Sequence, residues 1–334
     1  MRTSSGQAGD PPAATQQAEP AADPAAAASR LVTWHGDVLT QIDQLDWLRS
    51  LNDWLAAVLG PLRERYQDNL AVELLHGGRW IGHPLHPALS DLPIGLWMSA
   101  TLLDVTGRDT APGPGLDAAG LLSAAGTLAA GATVLTGLSD WTVSNDQDRR
   151  VGLFHGLLNT AALGLQSASL AARVTGHRGT ARTLGAAGLA VTAGAAYLGG
   201  HLVFTKGVMV NRVGWATGPR RWVRAIEEAD LPDDSPVAVE AEGRQVLLYR
   251  HDGRLYAIDN ICSHAGGLLS RGPVTDLIVT CPLHGSRFAL ADGCVLRGPA
   301  SQPQPVLRTR IRNGWIEVRG SQPAPRRAKE RTQP

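Results

Sequence analysis

Two short runs of the 334-residue chain hold the side chains best suited to redox or metal chemistry: Cys262-Ser263-His264 and Cys281-Pro282-Leu283-His284. Together they form the pattern C-x-H-x16-C-x2-H. A thiolate and an imidazole from each of two loops can hold one iron through sulfur and a second through nitrogen, the ligand set of a mixed Cys2His2 [2Fe–2S] centre. Zinc is the alternative, because its tetrahedral site accepts the same four donors. A zinc finger places its cysteine pair before its histidine pair, whereas here each loop brings one of each, so the order favours the iron cluster. The third cysteine, Cys294, follows Asp292-Gly293 and reads as a small packing residue. As a resolving thiol it would lack a partner, since the cluster claims the other two. Three cysteines in a chain of this length cannot build a disulfide framework.

A second set of candidates lies among apolar helices. His155, Asn159, Ala162 and Gln166 recur at helical spacing and form a polar stripe that should point into a bundle. His155 and His201 fall at similar depth on different helices, and His83 and His86 precede the first of those helices. Two histidines so placed suit the axial ligands of a b-type haem or a quinone pocket, with His155, His201 and His86 as candidates. The competing reading is structural: capping helices and bonding neighbouring backbone, most plausible for His83 and His86 beside prolines.

The elements that must position these groups follow from composition. Lys and Arg number 31 against 30 Asp and Glu, a net charge of +1, which excludes the basic field of a nucleic-acid binder. Residues 1–30 are Ala, Pro, Gln and Ser with almost no large apolar side chain and read as disordered, without the basic start and apolar core of a signal peptide. Over 31–80, Leu45, Trp47, Leu48, Leu51, Trp54, Leu55, Val58 and Leu59 recur at three and four. They predict an amphipathic helix ending near Pro61, with a second short helix from Arg63 to Leu75.

Over 81–212 the chain turns to Ala, Gly and Leu in four apolar stretches, Ala88–Val105, Leu116–Leu138, Val151–Val174 and Ala181–Phe204. Each is long enough to span a bilayer core, and a buried soluble bundle is the alternative. Four crossings put the N-terminal region, the Ser139–Arg150 loop and everything after Phe204 on one side. Near the spans that side carries Arg79, Arg149, Arg150, Lys206, Arg212, Arg220, Arg221 and Arg224, against Arg108, Arg173, Arg178 and Arg182 opposite. The excess makes it cytoplasmic, in a multi-pass protein of the inner (plasma) membrane. Asp91, ahead of Pro93, reads as a helix N-cap. From 220 to 319 short alternating runs separated by Asp252-Gly253 and Asn313-Gly314 predict a small all-β domain, and 320–334 a solvated tail.

With these residues on the page, 220–319 resembles the Rieske iron–sulfur family. The resemblance implies that Cys262 and Cys281 hold the buried iron, and His264 and His284 the outer one. Gly285-Ser286-Arg287-Phe288 and Gly298-Pro299-Ala300 also resemble family turns. In the cytochrome bc branch a disulfide ties the two loops; the matching positions here are Gly267 and Leu283, so the domain looks more like a Rieske-type ferredoxin. Ser286 matches a serine that donates a hydrogen bond to a cluster sulfur, while Phe288 replaces a tyrosine donor, which implies a potential below the bc type. His83-Pro84-Leu85-His86-Pro87 with Asp91-Leu92-Pro93-Ile94-Gly95 resembles the entry signature of an uncharacterised bacterial four-helix membrane family, over roughly 76–212.

The whole therefore reads as a multidomain protein: a four-helix transmembrane bundle followed by an all-β Rieske-type domain. The function these resemblances imply is a membrane-anchored carrier passing single electrons between a membrane or soluble partner, a protein or a quinone, and an acceptor. A non-catalytic redox sensor and the electron-delivery subunit of an oxygenase are the alternatives. The second iron site of a Rieske oxygenase has no domain to hold it after the cluster region.

Overall fold

The computed structural model describes residues 38–42, 44–66, 69–107, 116–215 and 218–320. The segment 1–30 and the tail beyond Gly320, both expected to be disordered, lie outside the described residues, although Gly320 itself closes the last strand.

Helices come first, among them α1 Asp46–Tyr66, α2 Leu70–His76, α3 Gly78–Ile81, α4 Leu85–Thr106, α5 Ala118–Thr142, α6 Asp146–Val174 and α7 Arg178–Phe204. The amphipathic helix does not stop at Pro61 but runs through it. The residue before a proline is pushed away from the helical region by its own Cβ, and here that residue is Gly60, with open space around it. The next helix starts at Leu70 rather than Arg63, because the Asn69 side chain accepts from the Ala71 N–H at 2.8 Å and caps it. Asp91 caps nothing: α4 begins six residues earlier, at Leu85, and takes Pro93 into its interior. Proline there leaves the Leu89 carbonyl without its helical donor. The Thr133 hydroxyl donates to that carbonyl from α5, at 3.4 Å.

Helices α4 and α5 pack closely, as do α6 and α7, and the two hairpins associate more loosely with each other. Among the described residues, only α5 and α7 are both long enough and apolar enough to cross a membrane. Of the four expected spans, α4 and α6 have the length but carry interior Asp, His, Asn and Gln side chains that lower their hydropathy. On α4, α5 and α7, large apolar side chains face outward, among them Val105, Leu128 and Phe204 at 79%, 80% and 89% exposure, the reverse of a soluble core. Helix α1 lies across the bundle: Leu48 is fully buried against Trp141, Val151, Leu153 and Leu198, while Trp47 and Trp54 on its flank stay exposed.

The β domain has ten strands: β1 Val223–Glu227, β2 Val237–Ala241, β3 Arg244–His251, β4 Arg254–Asp259, β5 Val274–Thr275, β6 Ile278–Thr280, β7 Arg287–Ala289, β8 Val295–Arg297, β9 Leu307–Arg312 and β10 Trp315–Gly320. They form three antiparallel sheets in the orders β1-β10-β9, β2-β3-β4 and β5-β6-β7-β8. Strands β5, β7 and β8 have only two or three residues, too few for alternation to register in the sequence. One core, built on Val246, Leu248, Ile316 and Val318, supports the base of the domain. The other, built on Leu247, Ile258, Val279 and Phe288, includes Cys262 and Cys281.

Three contacts seat this domain on the helices. The Gly298 N–H donates to Glu73 Oε1 at 3.1 Å, the Gln302 amide donates to the Gly82 carbonyl, and the Arg212 N–H donates to the Ser263 carbonyl at 3.0 Å. Gly78 lies flat against the β domain, where a Cβ would stand 2.9 Å from Ser301 Cα. Overpacking of this kind costs about 1–3 kcal/mol. Gly78→Leu is therefore expected to raise the undocked population by about tenfold or more, read as faster tryptic cleavage at Arg220 and Arg221. Unchanged cleavage would show that Gly78 does not set the seating.

Candidate metal centre

Each sulfur–imidazole pair sits in a loop closed by the same local device. After β4, the Gly266 N–H donates back to the Cys262 carbonyl at 3.0 Å; after β6, the Gly285 N–H donates back to the Cys281 carbonyl at 2.9 Å. Both glycines have left-handed backbone, φ of +80° and +78°, which residues with a Cβ adopt at a cost. The first loop is braced from below: Asp259 Oδ1 accepts from the Ile261 N–H at 2.8 Å and is paired with Arg244, and Asn260 Oδ1 accepts from the Ser270 N–H at 2.8 Å. The second is braced by Arg297, whose Nε donates to the Gly285 carbonyl at 2.9 Å, and by the Cys281 N–H bond to the Ser286 carbonyl at 2.8 Å.

The braced loops bring the four side chains together as two unlike pairs. Cys262 and Cys281 are 1% and 2% exposed, hydrogen-bonded to each other, and receive backbone N–H groups of His264, Ala265, Leu283 and His284. The bond from the Cys262 thiol holds the Cys281 thiol below its ordinary value, while the same bond, followed by burial, pushes the Cys262 thiol up. His264 and His284 lie with their rings perpendicular, centroids 5.0 Å apart and Nδ1 atoms 3.2 Å apart. No three His, Cys, Asp or Glu side chains among the described residues gather at one point. A sulfur pair in the apolar core and a nitrogen pair at its edge fit two metal ions with different ligands better than one tetrahedral zinc. Gly267 completes the cradle, since a Cβ there would meet Cys281 Sγ at 2.9 Å and Leu283 Cβ at 3.0 Å. Ser286 is fully buried, and its Oγ accepts from the Ala300 N–H at 3.0 Å, which leaves its own O–H proton to be donated elsewhere.

The two imidazoles differ in how far they are covered. His264 is 7% exposed, and the turn after α7 is bonded to its neighbour Ser263 through Arg212. His284 is half-buried and forms one wall of a cavity shared with the helices. Cys294 is not a core residue: it lies half-buried in the turn between β7 and β8. The Asp292 carboxylate bonded to it, and then burial, raise its thiol, which disfavours a reactive thiolate.

In the bundle, the structure sets His155 beside His86, with centroids 6.3 Å apart and rings perpendicular. His86 Nδ1 bonds the Thr133 carbonyl at 3.0 Å and His155 Nδ1 the Ala195 carbonyl at 2.8 Å, while His155 Nε2 meets the Asn159 amide at 3.1 Å. His201 is on α7 two residues beyond Gly199, which itself receives the His155 ring. The polar stripe of α6 faces inward, with Gln166 donating to the Gly185 carbonyl at 3.0 Å.

Sequence reasoning overlooked two clusters. At the end of α5 near the β domain, buried His76 bonds Asp140 Oδ1 through Nδ1 at 2.9 Å and Ser139 Oγ through Nε2 at 3.3 Å. At the opposite end, Arg173, read as a flanking cation, is 2% exposed and paired with Asp104 and with Asp117, the latter at 3.4 Å. Arg178 also pairs with Asp117, and Arg182 with Asp104 at 3.6 Å. The sequence signal was available in the second case: two acidic and three basic residues fall at the ends of all four long helices.

Comparison with known proteins finds the Rieske [2Fe-2S] domain over residues 221–310 and a predicted membrane protein domain (DUF2231) over 82–212. The chain is similar to the ferredoxin component of the naphthalene 1,2-dioxygenase system of Pseudomonas putida, 31% identical over 93 residues, covering 28% of this chain and 89% of the relative. It is also similar to the cytochrome b6-f complex iron-sulfur subunit of Chlorobaculum tepidum, 30% identical over 90 residues, covering 27% of this chain and 49% of that one. Among solved structures, the ferredoxin of carbazole 1,9a-dioxygenase from Nocardioides aromaticivorans IC177 matches at 29% identity, covering 30% of this chain and 98% of the other with a TM-score of 0.29.

Proposed function

We propose, from a chain that belongs to the Rieske [2Fe–2S] family through residues 221–310 and carries a predicted membrane protein domain over 82–212, that this electron-transfer protein holds its cluster through Cys262, Cys281, His264 and His284. The observation that carries the assignment is the unlike pairing of the four side chains: two buried sulfurs that receive four backbone N–H groups, and two imidazoles with converging Nδ1 atoms at the edge of the core. When bound, such a cluster supplies a reversible one-electron couple. The backbone N–H groups stabilise negative charge on the sulfurs, Gly267 gives them room, and the imidazoles form the edge through which an electron enters or leaves.

The anchor is a multi-pass bundle in the plasma membrane. Outward-facing Val105, Leu128 and Phe204 support contact of α4, α5 and α7 with lipid, and exposed Trp47, Trp54, Trp80 and Trp215 suit the membrane–water interface on the side of the β domain. That side also carries Arg79, Arg149, Arg150, Lys206 and Arg212, while Arg173 leaves the opposite flank because it is buried within the bundle, so the cluster domain faces the cytoplasm.

The test is metal analysis and EPR of the full chain purified anaerobically in detergent. About two irons per chain, with a reduced-state signal showing nitrogen ligation, is the expected result, and zinc without iron would overturn the reading. Ser286→Ala should then lower the midpoint potential. A hydrogen bond that differs by about 1 kcal/mol between oxidation states moves a one-electron couple by about 40 mV. An unchanged potential would mean that Ser286 donates to no cluster sulfur.

A further inference from the structure

The four long helices build one hairpin twice. The register shift that carries His86 of α4 onto His155 of α6 also carries Trp97 onto Gln166 and Asp104 onto Arg173. A second shift carries Gly126, Thr133 and Gly137 of α5 onto Gly188, Ala195 and Gly199 of α7. The contacts repeat with the sequence. His86 donates through Nδ1 to the Thr133 carbonyl at 3.0 Å, and its ring fills a notch at Gly137, where a Cβ would stand 2.7 Å from it. His155 donates through Nδ1 to the Ala195 carbonyl at 2.8 Å, and its ring fills the notch at Gly199, where a Cβ would stand 3.1 Å away. Deeper in the bundle, Trp97 lies against Gly126 and Gln166 against Gly188. Both hairpins start at the β-domain end, so the pseudo-twofold axis between them runs along the bundle. Helices α4 and α6 stand diagonally across it, each packed on α5 and α7, and their two histidines meet near the axis with ring planes perpendicular and centroids 6.3 Å apart.

The repeated contacts fix both rings in one tautomer. A carbonyl only accepts, so each Nδ1 carries the proton and each Nε2 presents a lone pair. Metal-ligating imidazoles are held in this way, the second nitrogen donating to a backbone carbonyl. The Asn159 amide donates to His155 Nε2 at 3.1 Å and to the His155 carbonyl at 3.0 Å, so it keeps a partner when the ring nitrogen is taken. We propose that His86 and His155 are the axial ligands of a haem held between the two hairpins. Among the described residues no third His, Cys, Asp or Glu joins the pair, so a bare zinc ion would find half of its four donors there. A porphyrin brings four in-plane nitrogens and asks the protein only for the two axial ones. Both rings are half-buried and the hairpins associate loosely, which leaves the apolar macrocycle a way in from the side. The proposal does not rest on the cluster assignment. The site lies at the bundle end that carries the β domain, in the turn of α4 after Gly82, whose carbonyl accepts from Gln302.

The experiment starts from the full chain produced in cells blocked in haem synthesis, so that any iron it carries is that of the cluster loops. Hemin is titrated into this chain in lipid nanodiscs, with empty nanodiscs as the blank for partitioning into lipid. Saturation at about one haem per chain, with the low-spin spectrum of six-coordinate iron, is the expected result. His86→Ala and His155→Ala should each give a high-spin, five-coordinate spectrum and raise the half-saturating concentration by about tenfold or more. Added imidazole should restore the low-spin spectrum in both, which a misfolded bundle would not allow. His155→Met should stay six-coordinate with a raised midpoint potential. His201→Ala should bind hemin as the parent does. Uptake no greater than the blank, a low-spin spectrum that survives either alanine substitution without imidazole, or its loss in His201→Ala with recovery by imidazole would each overturn the proposal. If an alanine variant fails to fold, His155→Met decides, and a potential equal to the parent's overturns it.

Discussion

Serine in place of Cys262 is expected to leave the protein without iron: from about two irons per chain to near none, with loss of the visible and EPR signals. The sulfur it removes is 1% exposed, lies against Cys281 Sγ and receives the N–H groups of His264 and Ala265. A hydroxyl in that place does not ionise to a ligand near neutral pH, so the buried metal would be left with one anionic donor. The β domain should keep its secondary structure by circular dichroism, because the core built on Val246, Leu248, Ile316 and Val318 contains no cysteine. The cost of a buried hydroxyl without a good partner is about 1–3 kcal/mol, and the loss of metal-linked stabilisation adds to it. Cys294→Ser is the control, expected to retain full iron because that thiol lies in the turn between β7 and β8, outside the core that holds Cys262 and Cys281. A Cys262→Ser chain that still carries about two irons would show that the four residues are not the ligand set.

Arg173→Met should destabilise the bundle by about 3–5 kcal/mol, the effect of removing one partner from a buried ion pair. The guanidinium is 2% exposed and joins α6 to Asp104 of α4 and to Asp117, the N-cap of α5. Without it two buried carboxylates face each other, relieved only by Arg178 and Arg182 at the rim, which are 23% and 46% exposed along their side chains. Arg173→Lys should recover part of the loss, since an ammonium can neutralise charge but cannot fork between two carboxylates on different helices. Adding Asp104→Asn and Asp117→Asn to Arg173→Met should recover more, by removing the uncompensated charge itself. Thermal unfolding in detergent reads all three. If Arg173→Met unfolds at the parental temperature, the cluster is a surface network and not the clamp that closes the far end of the bundle. The iron content should be unaffected, because the metal centre lies at the other end.

The amino-acid sequence by itself determined the kind of chemistry and the kind of scaffold. Four candidate ligands in two loops are a local pattern, legible because each loop carries its own Cys, His and closing glycine. The long helices are legible because length and apolar composition repeat over many residues: the predicted span at 181–204 falls within α7, and that at 116–138 overlaps α5 from Ala118 onward. The Pro61 and Asp91 boundaries were misplaced because their outcome depends on neighbours, Gly60 without a Cβ in one case and the Thr133 hydroxyl of another helix in the other. Tertiary structure alone decided three further matters: that Arg173 is buried between helices, that His155 meets His86, and that His264 is covered while His284 lines a cavity at the end of α5. The physical reason is common to all three. Which side chain lies across from another depends on helix rotation and domain seating, which are fixed by packing among residues tens to hundreds of positions apart, such as Glu73 with Gly298, and no local spacing encodes that contact.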